Sequence, residues 1–295
     1  MRVVSIKHGK KQLPPLAAAF LQRCERDERL QLIQLESQYP KHAIELAKNF
    51  CAQADVFIVI GGDGTLNEVV NGMLSVSEKT PSILLFRAGT GNDFSRYFKP
   101  ISMEQSPNDV LSMPPTEVPL GQVQTEKELR YFINVADVGF GGNVVQTLEH
   151  ARKILGPKIS YFYAILWTFI RFRKKGMVLN EGLENTRFFM IAVCLGSTFG
   201  DGMVIAPGKS RWDSYFQIVQ LRRIRVWHYL FYLGKLRKGK RIFHPEIKYH
   251  DASSLHIGGL GSELDAEIDG EPLHAKTFHF TLAETKLRFL NQRKN

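Results

Sequence analysis

The stretch VIGGDGTLNEVVNGM, Val59 to Met73, begins as an apolar β-branched run, gathers three glycines around one acid, and ends in a mixed polar and apolar segment. The run reads as the end of a buried strand and the mixed segment as a helix, with the glycines at the junction. Glycines after a strand let the backbone approach a ligand and turn its N–H groups toward it, and a helix N-terminus adds partial positive charge. Gly61, Gly62, Asp63, Gly64 and Thr65 therefore have the makings of a phosphate cradle in which Asp63 holds Mg²⁺ or a water on it. The competing reading is a tight turn in which Asp63 caps the helix and no ligand is needed. The turn alone favours the second.

Outward from this junction, the first part of the chain alternates. RVVSI, LQLIQL, DVFIVI and SILLF read as strands; PLAAAFLQRCERDERL, PKHAIELAKNFCAQA and LNEVVNGML read as helices. Such alternation predicts an α/β domain with a parallel sheet covered on both faces, whose ligands lie beyond the carboxyl ends of the strands. From about Val118 the pattern changes to short strands: YFINVADVGF, TRFFMIAVCLG, SYFQIVQL, EIKYHDASSLHI, LDAEIDGEPL and TFHFTLAETKLRFL. Helical pieces are predicted only near Ile154 to Lys174 and Trp227 to Lys238. The proline-rich MPPTEVPLG marks the boundary, giving domains at 1–120 and 121–282.

The 295 residues, 44% of them hydrophobic, suffice for two domains with their own cores. Cys24, Cys51 and Cys194 are far apart and lack C-x-x-C spacing, so neither a disulfide framework nor a zinc site is expected. No secretory leader is read at the N-terminus and no run reaches the roughly eighteen apolar residues of a membrane span. The expectation is a cytoplasmic chain in peripheral contact with membranes at most, with a homo-oligomer compatible. A net charge of +10 favours an anionic partner. The absence of a helix-turn-helix, zinc-finger or RNA-recognition signature argues against nucleic acid.

A second glycine-rich loop changes the odds on the first. FRAGTGNDFSRYF follows the next strand, so Asp63 and Asp93 stand on two loops at one edge of one sheet. Mg²⁺ favours a few carboxylates with phosphate oxygens and waters, which such a pair supplies. No lysine sits where a P-loop would place one, so a different nucleotide grip is needed.

GGDGTLNEVVNG followed by AGTGNDFSR resembles the diacylglycerol kinase catalytic-domain family, in particular its soluble bacterial lipid kinases, relatives of the sphingosine and ceramide kinases. The likeness continues through FINVADVGF, KILGPKISYFYAIL, FGDGMVIAP and AEIDGEPL. It implies an N-terminal domain similar to the NAD kinase and phosphofructokinase fold and a C-terminal β-sandwich, with the tail from about residue 283 packing back on the first domain. It also implies ATP-dependent, Mg²⁺-assisted phosphorylation of a hydroxyl of diacylglycerol or a similar lipid at a membrane surface. Carried over by position, Gly61, Gly62, Asp63, Gly64, Thr65, Leu66, Asn67, Thr90 and Asn92 would bind ATP, with Gly9, Lys10 and Ser37 at neighbouring loops. Asp63 and Asp93 would organise Mg²⁺. Asp213, with the carbonyls of Ser210 and Tyr215, matches a structural Mg²⁺ site.

The family's DGE is Asp269, Gly270 and Glu271. Phosphoryl transfer to an alcohol needs the hydroxyl oriented and its proton accepted, a role expected of Glu271 with Asp269 assisting; by itself the segment reads as a hairpin turn. Departures from the family pattern are SIKHG (Ser5 to Gly9) in place of Asn-Pro-x-Ser-Gly, Pro119 in place of an aspartate with Glu117 as its substitute, Ser214 in place of glycine, and Arg87 in place of proline. Arg87 reads as a phosphate contact or a salt-bridged loop residue. NAD kinase shares GGDGT but neither GTGNDFSR nor IDGEP at this spacing. A protein that binds lipid or nucleotide and has lost efficient transfer is the alternative outside catalysis. The basic, aromatic segment Arg222 to Phe243 reads either as an interfacial membrane helix or as an ordinary helix with a solvated face.

Overall fold

Strands rich in Val, Ile and Phe separate the helices of the first unit, and this period sets its sheet. The computed structural model describes residues 1–77, 80–89, 91–155, 163–165, 167–169, 171–172, 174–180, 186–200 and 202–294. The chain forms two compact units, Met1–Leu120 with Glu284–Asn295, and Gly121–Ala283.

In the first unit, β1 (Arg2–His8), α1 (Pro15–Glu25), β2 (Gln31–Ser37), α2 (His42–Phe50), β3 (Val56–Gly61), α3 (Asp63–Leu74) and β4 (Ser82–Arg87) alternate as the hydrophobic periods predict. A 3-10 turn (Phe94–Tyr97), α4 (Pro107–Leu111) and β5 (Thr116–Val118) follow. The sheet order is β2-β1-β3-β4-β20-β5, where β20 (Leu287–Phe289) comes from the C-terminal segment. Pairing is parallel from β2 to β20 and antiparallel only at β5. Every residue of β3 is buried, as a strand covered on both faces requires. Val56, Ile58 and Ile60 pack with Phe20, Leu21 and Cys24 of α1, so the alternating Phe57 and Val59 face the opposite side. Asn291 extends the ladder with its side chain, accepting from Leu85 N at 2.7 Å and donating to Leu85 O at 3.0 Å.

The second unit is the expected mainly β sandwich. Its strands are β6 (Gly121–Gln124), β7 (Leu129–Phe132), β8 (Val135–Gly139), β9 (Gly176–Leu179), β10 (Thr186–Arg187), β11 (Met190–Cys194), β12 (Thr198–Phe199), β13 (Met203–Val204), β14 (Phe216–Leu221), β15 (Ile247–Ala252), β16 (Ser254–Gly259), β17 (Leu264–Ile268), β18 (Glu271–Ala275) and β19 (Thr277–Leu282). One sheet runs β10-β9-β16-β19-β6-β7 and the other β15-β14-β11-β8-β17-β18. Ala136, Val138, Ile191 and Ile218 of the second sheet share a core with Val123, Ile257, Phe278 and Phe280 of the first. The alternate residues, Val135, Ala192, Cys194 and Val219, face a second cluster with α5 (Phe140–Leu155). α6 (Val226–Arg237) contributes Tyr229 to the same cluster.

The structure departs from the sequence pattern at two places. YFINVADVGF is two strands, β7 and β8, broken at Ile133–Asn134, and α5 starts immediately after, where no helix was expected. The pair Gly141–Gly142 disguises that helix, because glycine is a poor helix former. Both glycines are there for space: a Cβ on Gly141 would lie 1.9 Å from Asp137 Oδ2, and one on Gly142 2.6 Å from Ala266 N. Part of the helical piece expected over 154–174 lies outside the described residues.

Candidate functional site

The sheet order of the first unit places its switch point between β1 and β3, whose carboxyl ends carry Gly9 and Gly61, and such crevices are where open α/β sheets bind ligands. Gly9 N donates to Ser37 O at 3.1 Å and to Ser37 Oγ at 3.3 Å, so these two residues from different loops are brought together. A Cβ on Gly9 would sit 2.0 Å from Ser37 O, which is why glycine is needed there. Lys10 is exposed beside them. His8 is held below the ordinary histidine value by burial and then by the charges of Lys11, Lys10 and Lys7. Lys7 is paired with Glu36 at 3.1 Å.

The two glycine loops touch backbone to backbone. A Cβ on Gly62 would lie 2.9 Å from Gly89 Cα, and one on Gly89 2.4 Å from Gly62 Cα. Asn92, at φ 53°, clamps its own loop, accepting from Gly89 N at 3.0 Å and donating to Gly89 O at 2.7 Å. Arg87 donates to the carbonyls of Ser95 and Phe98, so it braces this loop from below. Thr90 lies outside the described residues.

Asp63 does not cap its own helix. The N-cap of α3 is Gly62, with no side-chain acceptor. Asp63 accepts instead from Asp93 N at 2.9 Å and Phe94 N at 3.1 Å, tying the second loop to the first. Asp93 is buried, with Arg96 Nε 3.6 Å from its carboxylate. The helix N-terminus is thus left uncapped by side chains, and a Cβ on Gly64 would meet nothing within 4 Å. Open space beside free helix amides suits an anion. Thr65 packs under Gly61, and Leu66 and Asn67 are buried in α3.

Carboxylate oxygens keep further lone pairs after accepting one N–H each, so Asp63 is chemically fit for a hard cation. Among the described residues no three His, Cys, Asp or Glu side chains converge as a metal cluster. A Mg²⁺ here would draw on one or two carboxylates and on phosphate oxygens, as that ion commonly does. Glu117 stands apart in an exposed ion pair with Lys286 at 3.0 Å.

Asp213 holds a cation of the protein's own. Lys209, its side chain wholly buried, places Nζ 2.9 Å from Ser210 O and 3.2 Å from Asp213 Oδ2, over the Tyr215 ring at 4.1 Å. Burial would raise the Asp213 carboxyl, but the bond from Lys209 holds it below the usual range.

In the second unit, Asp269 and Gly270 form the two-residue turn between β17 and β18, with φ of 50° and 89°. Positive φ at both positions is the reason for an Asp-Gly pair in a hairpin. The Asp269 carboxylate accepts from the amides of Ile133, Asn134 and Val135 at 2.6, 2.9 and 3.1 Å. Three such donors fix the carboxylate in place, which suits a positioning role. Glu271, the first residue of β18, is half-buried beside it.

Above the second sheet lies a cavity of about 940 Å³, part of it open to solvent. Phe140, Phe169, Phe189, Ile205 and Val219 line it, with α6 forming one wall through Tyr229, Tyr232 and Leu236. Its only carboxylate lining among the described residues is Glu267, and no lysine or arginine lines it there. The sequence pattern singles out neither Glu267 nor its cross-strand partner Asp137. The available signal was an acid inside the apolar run INVADVGF.

Two family models match the chain: "Diacylglycerol kinase catalytic domain" over residues 3–123, and "YegS C-terminal NAD kinase beta sandwich-like domain" over residues 134–290, more than half of the chain. A curated relative named diacylglycerol kinase from Staphylococcus haemolyticus is 26% identical over 226 residues, which are 74% of this chain and 65% of that protein. The match thus spans just under two thirds of that relative. A solved structure titled as a putative diacylglycerol kinase from Bacillus anthracis has a TM-score of 0.73 at 20% identity, covering 99% of this chain and 97% of that one. An NAD kinase from Archaeoglobus fulgidus in complex with ATP has a TM-score of 0.55 at 13% identity, covering 99% and 94%. These structural likenesses establish the fold.

Proposed function

The chain belongs to the lipid-kinase superfamily defined by these two domains, and from that premise we propose that it transfers the γ-phosphoryl group of ATP to a hydroxyl of diacylglycerol or a similar lipid. The observation that carries this reading is the apolar cavity of the second unit, in a chain whose first unit presents an uncapped helix N-terminus beside open space. A phosphorylated sugar or dinucleotide has no use for a wall of phenylalanine and tyrosine; an acyl chain does.

On this reading, the loops at Gly9, Gly62 and Gly89 cradle the triphosphate, with Lys10 and the amides of α3 opposing its charge. Asp63 and Asp93 would hold Mg²⁺ against it; when bound, the ion neutralises charge developing on the phosphate oxygens. Asp63 also keeps the second loop in register, so its side chain both shapes the cradle and faces it. Glu271 accepts the proton of the lipid hydroxyl, and Asp269 fixes the turn that carries Glu271. The Asp213 cluster enters this proposal without a metal, Lys209 supplying its positive charge. Kinship with the sphingosine-kinase branch is part of the same proposal and rests on the shared motifs alone.

Radiolabelled ATP, Mg²⁺ and a panel of lipids in mixed micelles test it. Glu271→Ala is expected to lose about a hundredfold or more in kcat with little change in KM for ATP. Asp63→Ala is expected to lose both activity and nucleotide affinity. Full activity of Glu271→Ala removes its role as proton acceptor. Failure of the wild type on every lipid overturns the kinase reading.

A further inference from the structure

Asp137 on β8 and Glu267 on β17 are direct partners in an antiparallel pair, so two carboxyl groups share one face at one level of the sheet. Like charges so placed oppose each other. Asp137 is 1% exposed, and both of its oxygens lack a well-aligned donor, although the Glu267 carboxyl and the amides of Gly141 and Gly142 face it. A proton between the two acids supplies the missing donor and removes the repulsion. Burial accordingly raises Asp137, and burial with the neighbouring Asp137 charge raises Glu267 as well. Gly270 N donates to Glu267 Oε1 at 2.9 Å, so this side chain is anchored to the hairpin turn.

The pair stands at the cavity wall. Glu267 lines the cavity, Asp137 lies behind it, and the remaining described lining is apolar or aromatic with one histidine, His228, whose Nδ1 accepts from Arg225 N at 3.3 Å. Two carboxyls with one proton hold one negative charge and one O–H donor. No basic side chain among the described lining residues offsets that charge. An alcohol can donate to the pair and accept from it. A phosphate monoester brings about −1.5 to −2 charges of its own and meets the pair's charge directly in a medium that screens poorly, while Lys235 and Arg241 stand over the Tyr232 and Tyr249 rings.

We propose that Asp137 and Glu267 form a one-proton carboxyl pair that makes the cavity accept a long-chain lipid alcohol and reject its phosphate ester. Glu267 is the specificity-determining residue, and Asp137 positions and charges it. The inference rests on the lipid-kinase reading for its biological sense: the pair admits the acceptor lipid and expels the phosphorylated product. Its test needs neither ATP nor turnover, so it fails or stands separately from that reading.

The probes are a dodecyl alcohol with a fluorophore at its far end and the phosphate monoester of the same molecule, both below micelle formation. Fluorescence polarisation with the full-length protein is expected to show the alcohol bound about tenfold or more tightly than the ester. In Glu267→Gln and in Asp137→Asn the ratio is expected to fall to about threefold or less, through tighter binding of the ester. Equal binding of the two probes by the wild type overturns the proposal without recourse to any variant. So does binding of neither probe, or a ratio that both substitutions leave unchanged.

Discussion

Asp63 shows how a single residue can be legible in type and hidden in role. Its place after two glycines pointed to a cap or a cation site, and the structure adds a third function, in which its carboxylate joins two loops through the amides of Asp93 and Phe94. That bond links positions thirty residues apart, which no local pattern encodes. Gly64 offers a cleaner test of the site than Asp63 does, because nothing in the fold requires a glycine there. Gly64→Ala is expected to raise stability by about 0.5–1 kcal/mol, as alanine does in helices. If phosphate occupies the space beside it, the same substitution weakens nucleotide binding by about tenfold. Thermal melting and nucleotide titration check the two effects together; unchanged affinity places the nucleotide elsewhere.

At the scale of elements, α6 has two unlike faces. Tyr229, Tyr232 and Leu236 wall the cavity, whereas Trp227 and Phe231 are 61% and 75% exposed, and Phe243 just beyond the helix is 84% exposed. The basic residues of Arg222 to Arg241 surround these aromatics, the composition of a segment that settles into an anionic bilayer surface. Trp227→Ala with Phe231→Ala is expected to cut flotation with phosphatidylglycerol vesicles by about tenfold, while melting stays unchanged because neither side chain is buried. Flotation equal to wild type overturns the expectation that α6 docks on membranes. This helix was legible from its sequence, and so were the β/α alternation of the first unit and the Asp-Gly hairpin turn. α5 was not, because its opening glycines serve Asp137 and β17 rather than helix propensity. Nor was the role of Lys209, whose ammonium takes two of the oxygens expected to hold a metal; only folding shows that its stem turns inward.

At the scale of the whole molecule, the second unit is an insertion. The chain leaves the first unit at Leu120 and re-enters it at Glu284, and the returning strand β20 pairs with both β4 and β5. Leu287 and Phe289 are fully buried there, and each contributes about 1.5–3 kcal/mol by burial. Deleting residues 284–294 is therefore expected to unravel the first unit while the second keeps its core. Hydrogen exchange should show fast amides in β3 and β4 and protected ones in β8 and β11; slow exchange in all four contradicts it. The alternation of the sequence announced the inner strands of this sheet, but the pairing of β20 spans most of the chain, and long-range pairing leaves no periodic trace.

The same insertion sets an order of events on the ribosome. The segments of the second unit are contiguous, so they meet their partners without waiting for β20. The first unit, begun earlier, waits with an open strand edge at β4 until β20 is available to pair with it. A chain released before Leu287 is thus a molecule with a finished sandwich and an unfinished sheet. Its unfinished edge is the surface a chaperone would have to guard.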